Sequence, residues 1–287
     1  MLYLTHLLNG TLMLAIPIAL GIYLTRRMRL GWRLWWIGGA TFILSQVGHL
    51  PFNALLNVLF RRSVLPMPPV GWQPVVFSLI GGLSAALWEE PARCAVYRWW
   101  AKDARSWGRA LLLGAGHGGM EAILLGGLVL LTFLQMLALK DADLNRILPP
   151  ERVREVEYQV RQYWSLPWTM TLLGAYERLQ AIPLHLANAV LVLQVFTRRQ
   201  SRWLLAAIVW HALVNTAAAL AVQAWGAYVT EGLMTIEAVI SLAILWSLRQ
   251  PEPPPGEEDS PLLPQGLQPG LRNDSLSQEE LEASKYC

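Results

Sequence analysis

Apolar residues in this chain come in long runs, not in short alternating blocks. Windows of about 20 mostly apolar residues, the length that crosses a hydrocarbon core, cover 2–24, 34–60, 73–97, 110–138, 166–196, 202–224 and 227–248. The pattern predicts an all-α polytopic membrane protein with about seven transmembrane helices. Basic residues fill alternate breaks between the runs: Arg26, Arg27, Arg29 and Arg33, then Arg98, Lys102, Arg105 and Arg109, then Arg198, Arg199 and Arg202. Cytoplasmic loops carry such an excess, so the N-terminus is expected outside and the C-terminus in the cytoplasm. The first run has no basic n-region or small-residue cleavage site and is expected to stay as an anchor. Between the fourth and fifth runs, VREVEYQVRQYW is expected to be solvated or interfacial.

Composition strengthens this picture. With 54% hydrophobic and 15% charged residues and a mean hydropathy of +0.35, the chain is too apolar for an ordinary soluble domain. The lipid bilayer is its first expected partner. The formal charge of +3 reflects the cytoplasmic arginines, so no nucleic acid partner is expected. Cys94 and Cys287 allow neither a disulfide framework nor a cysteine metal site. From Pro251 the composition turns to Pro, Gly, Ser and acid, which cannot bury enough apolar surface to order itself. The expected organisation is a seven-helix transmembrane domain over 1–250 and a disordered cytoplasmic tail over 251–287.

The informative positions are polar residues inside the apolar runs. In SAALWEEPARC, Glu89, Glu90 and Arg93 stand where each charged group costs about 2.5–3.5 kcal/mol at a helix centre. By helical rise, Glu89 and Glu90, His117 and Glu121, His185, and His211 and Asn215 all fall in one slab on the cytoplasmic side of the midplane. Glu89 with Arg93, His117 with Glu121, and His211 with Asn215 are each four apart and share a helix face. Arg178 and His185 also face alike, with Asn188 a turn further on. Gly114 and Gly118 allow a close helix approach beside His117. Gln46, His49 and Asn53 share a face, and His49 is expected to make an interhelical hydrogen bond. Glu237 and Ser84 are expected to pack or snorkel.

Absent residues exclude several chemistries. No HExxH occurs, and every aspartate and lysine lies outside the predicted spans. A helix-borne HExxH zinc protease, an aspartyl dyad and a retinal Schiff base are thereby ruled out. Nothing marks Ser84 as an activated nucleophile. Carboxylate, imidazole and amide remain.

EEPAR at 89–93, GHGGMEA at 116–122, ER at 177–178 followed by His185, and HALVN at 211–215 resemble, in order, the motifs of the YhfC family of intramembrane proteases. That family is similar to the CAAX prenyl endopeptidases and bacteriocin-processing enzymes, the CPBP superfamily. Arg93 stands one position earlier than in the wider superfamily pattern, and Leu113 replaces a phenylalanine; both departures suit the YhfC branch. The resemblance implies a CAAX-protease-like helical bundle in a bacterial plasma membrane, cleaving a membrane-embedded or lipid-anchored peptide or protein. It implies a glutamic-type peptidase in which Glu89 and His117 activate water while His211 and Asn215 stabilise the oxyanion. Glu90, Arg93, Glu121, Glu177 and His185 would support them. No cofactor is favoured in this version. Zinc held by His117, His211 and Glu89 is the alternative, since Asn is a poor zinc ligand but a suitable oxyanion donor. A non-catalytic scaffold or a transporter is the remaining alternative.

Overall fold

A computed structural model describes residues 1–250; the expected tail lies outside the described residues. Within them every regular element is helical: α1 (Leu2–Met28), α2 (Arg33–Arg61), α3 (Gln73–Trp99), α4 (Trp107–Leu139), α5 (Leu144–Ile147), α6 (Pro150–Ser165), α7 (Leu173–Thr197), α8 (Arg202–Trp225) and α9 (Ala227–Ser247). Short 3₁₀ turns at Val70–Trp72 and Met170–Leu172 lead into α3 and α7. Among the described residues seven helices are long and apolar enough to span a membrane: α1, α2, α3, α4, α7, α8 and α9. The seven predicted runs map onto them in order, extended by a few residues at most ends. The fifth is the exception at its start, because Leu166 to Thr169 stays outside the helix before the 3₁₀ turn.

α7 is the central helix. Its most apolar window is 78% buried, against 11% for that of α2, and it packs on α1, α3, α4, α8 and α9. α4 is sandwiched between α1, α2 and α7, while α3 lies mainly against α8 and α2. Lipid-facing positions such as Leu128, Leu131 and Leu134 on α4, and Val209 and Leu213 on α8, are exposed. Apolar outward faces of this kind are what a bilayer requires.

The core sits toward the ends of α3, α4 and α7 that bear the arginine-rich connections. Tyr97, Leu111 to Leu113 and Val190 to Leu193 form it, with Trp35 and Ala207 against them. The Tyr97 hydroxyl donates to the Ala189 carbonyl at 3.0 Å, and Arg105 covers this end by donating to the Tyr97 carbonyl at 2.8 Å and stacking over Phe196. At the opposite end α6 is held as an amphipathic strap, with Val153 and Val160 buried. Tyr163 stacks on His6 at 4.2 Å, and Trp164 Nε1 donates to the Met136 carbonyl at 3.2 Å.

Candidate functional site

Close helix approach brings the polar residues together. A Cβ placed on Gly114 would stand 2.8 Å from the His185 carbonyl oxygen, and one on Gly118 would stand 2.7 Å from the His185 ring. Only glycine lets α4 come this near α7, and the approach sets His117 beside His185, with ring centroids 5.1 Å apart. Gly82 plays the same part between α3 and α8, where an added Cβ would meet the Ala212 carbonyl at 2.7 Å. His211 of α8 is thereby carried to the carboxylates of α3.

Glu89 lies at the centre. Its Oε2 stands 3.1 Å from His117 Nε2 and 3.9 Å from His211 Nε2. Its Oε1 accepts from Gln46 Nε2 of α2 at 3.3 Å. Glu89, His117 and His185 each offer one donor atom, all within 4.8 Å of one another and all from buried residues.

The neighbouring carboxylate has a different task. Glu90 is fully buried and accepts from Arg93 Nε at 3.1 Å, from Asn188 Nδ2 at 3.0 Å and from His211 Nδ1 at 2.8 Å. With Nδ1 engaged by Glu90, Nε2 is the His211 ring nitrogen that faces Glu89. Arg93 also donates to the His185 carbonyl at 3.2 Å, tying α3 to α7. A second arrangement of the same kind holds His185. Its Nε2 lies 2.7 Å from Glu121 Oε2, while Glu121 Oε1 accepts from Arg178 at 2.6 Å and Arg178 pairs in turn with Glu177.

These groups meet a stringent chemical test for a metal. Metal-binding imidazoles usually donate their other N–H to a carboxylate or carbonyl, and His185 has such a carboxylate in Glu121. The Nδ1 atoms of His117 and His185 are buried with no hydrogen-bond partner among the described residues, a costly state that coordination through these atoms would relieve. Two imidazoles and a carboxylate are also an ordinary zinc donor set. The residues fit.

The candidate site residues Glu89, Glu90, Arg93, His117, Glu121, Glu177, His185, His211 and Asn215 all fall in or beside this region. Asn215 is half-buried and lines a cavity with Glu89, Glu121, Glu177, His185 and His211. The donor group differs from the zinc set expected from the sequence, because His185 joins Glu89 and His117 within 4.8 Å while His211 Nε2 lies to the side.

The interhelical bond expected of His49 is present, with Nε2 at 3.2 Å from Ser84 Oγ, but the ring is also part of a longer chain. Asn53 Nδ2 donates to His49 Nε2 at 2.8 Å, His49 Nδ1 donates to Gln46 Oε1 at 3.0 Å, and Gln46 donates to Glu89. Sequence reasoning put these side chains on one face of α2 without linking them to Glu89. Glu237 does not snorkel: it is only 8% exposed and lines the cavity.

Bundle and cluster together define a polytopic membrane protein with a buried Glu/His/His group of the kind that can hold a metal ion. The model of the YhfC intramembrane metalloprotease family matches residues 12–240. The chain belongs to that family. It is 25% identical over 251 residues to the uncharacterized membrane protein YhfC of Bacillus subtilis (strain 168), covering 84% of this chain and 93% of the relative. No solved structure matches.

Proposed function

We propose that this protein is a zinc-dependent intramembrane endopeptidase, with Glu89, His117 and His185 holding the metal. The observation that carries the proposal is the convergence of these three buried donors from α3, α4 and α7, with His185 backed by Glu121. The family's description as a metalloprotease supports it. The metal-free glutamic mechanism expected from the sequence, with no cofactor, leaned the wrong way: its main support was the unsuitability of Asn215 as a ligand, and the donor group does without Asn215.

Bound zinc supplies Lewis acidity, polarising a carbonyl and lowering the pKa of water to about 7. The protein's own groups do the rest. Gln46 orients the Glu89 carboxylate through Oε1. His211, its tautomer set by Glu90, presents Nε2 to accept a proton on the Glu89 side and return it to the leaving amine. The Asn215 amide, on the same face of α8, donates to the oxyanion. Arg93, Asn188 and Arg178 hold the carboxylates that orient the rings.

The substrate class we infer is a membrane-embedded or lipid-anchored peptide or protein, presented from the cytosolic side of a bacterial plasma membrane, with the N-terminus of the enzyme outside. The order of motifs also supports kinship with the CAAX endopeptidase superfamily. Elemental analysis of protein purified without added metal is the direct test. About one zinc per chain is expected, with proteolysis lost to chelators and regained with zinc. Active protein free of metal would overturn the assignment.

A further inference from the structure

The cavity beside the donor cluster extends from Asn215 to α9 and encloses about 150 Å³, room for a few waters or the end of one long side chain. Its wall is acidic: Glu89, Glu121, Glu177 and Glu237 all line it, with Arg178 as the arginine among them. Glu121 and Glu177 share that arginine, and Glu89 is engaged by Gln46 and His117. Glu237 has no such partner: Oε2 is buried without a hydrogen bond among the described residues.

No cationic side chain on the cavity wall pairs with Glu237, and the Gln180 amide is committed elsewhere. Gln180 Nε2 donates to the Glu231 carbonyl at 3.2 Å and to Thr235 Oγ1 at 2.9 Å, and Ser241 Oγ accepts from Trp210 at 3.1 Å. Glu237 stands ten residues into α9, about 15 Å along a span by helical rise. An ionisable group at such depth with nothing opposite it is expensive, and groups kept there usually serve a substrate or ion. Ala181, Ala218, Ala238 and Met234 add apolar surface to the same cavity.

A buried, unpaired carboxylate lining a cavity beside the donor cluster suits a group with a long aliphatic stem and a cationic head, since lysine and arginine bury their methylenes and keep the charge paired or wet. We propose that Glu237 and the cavity it lines form a subsite for a lysine or arginine side chain of the peptide substrate, with Glu237 as its counter-charge. The proposal rests on the peptidase reading for its place beside the scissile bond, but binding can be measured without cleavage.

The probes are a hydrophobic peptide carrying one central lysine and its norleucine counterpart, titrated against the full chain in lipid nanodiscs. The lysine peptide is expected to bind about tenfold tighter or more, the equivalent of about 1.4 kcal/mol. Glu237→Gln, close in shape, should erase the difference. Glu231→Gln should keep it, because Glu231 is equally buried with an unpartnered Oε2 but does not line the cavity.

Equal affinities for the two peptides in the wild-type protein, including no binding of either, would overturn the subsite, and so would a lysine preference that survives in Glu237→Gln. The wild-type comparison stands even if the variant fails to fold. Lysine preference without hydrolysis of any peptide would count against the peptidase reading alone; hydrolysis without lysine preference would count against the subsite alone.

Discussion

His211 Nδ1 sits 2.8 Å from Glu90 Oε1, and the same oxygen accepts from Asn188 at 3.0 Å. Two adjacent glutamates on α3 therefore diverge in role. Glu89 faces the donor cluster, whereas Glu90 turns toward α7 and α8 and fixes an imidazole. The i, i+3 ion pair with Arg93 makes this possible, since both partners are fully buried and a lone carboxylate there would be uncompensated.

Glu90→Gln should therefore hurt twice. It leaves Arg93 buried without its counter-charge, which costs about 3–5 kcal/mol when one partner of a buried pair is removed, and it frees the His211 tautomer. A lower unfolding temperature in detergent is expected, with a fall in kcat larger than any rise in KM. Unchanged thermal stability would show that the Glu90–Arg93 pair does not hold α3 in place.

Glu121→Gln tests the other backed imidazole. The Glu121 carboxylate accepts from both His185 and Arg178, and loss of such a partner typically weakens metal binding by about 10–100-fold. Competition with a zinc chelator should register that loss in protein that remains folded. Equal affinity in wild type and variant would remove His185 from the proposed ligand set.

How much of this was legible in the sequence depends on the kind of signal. Spans were, because a bilayer demands about 20 apolar residues per crossing and the chain obeys that seven times. The depth coincidence of Glu89, His117, His185 and His211 was also legible, since helical rise converts residue count into depth. Helix rotation and neighbour choice were not. Which imidazole approaches Glu89 depends on the α4–α7 contact at Gly114 and Gly118, and the glycines mark closeness without specifying the partner. Glu237 was expected to pack or snorkel for a related reason: a single carboxylate on α9 looks the same whether it snorkels or faces a cavity, and only the packing of α7 and α8 decides.

The alternation of basic loops makes a topological prediction. Reporter fusions in the α3–α4 connection near Lys102 and in the α7–α8 connection near Gln200 should both report cytoplasm, and one near Pro66, between α2 and α3, should report the exterior. A cytoplasmic signal at Pro66 would break the proposed orientation and the cytosolic presentation of substrate with it.

The chain on α2 yields the most demanding prediction. Asn53, His49 and Gln46 pass donors in one direction, each amide or ring N–H pointing toward the next acceptor, and the last reaches Glu89 Oε1. If this sequence of donors orients the Glu89 carboxylate, its effect should fade with distance from Glu89. Gln46→Leu removes the only link in the chain that touches the carboxylate and should lower kcat by about tenfold or more, the scale of one lost donor to a charged group. His49→Ala leaves the Gln46 carbonyl without its donor and should cost less, because Gln46 can still donate to Glu89. Asn53→Ala, furthest away, should cost least. All three should leave KM for a peptide nearly unchanged, since none of these side chains lines the cavity beside Asn215. Replacing Gln46 by Asn, shorter by one methylene, should not restore the rate, because the amide no longer spans the gap. Steady-state kinetics on the four variants in nanodiscs would check the gradient; an Asn53→Ala defect as large as that of Gln46→Leu would mean that the chain acts on α2 packing and not on Glu89.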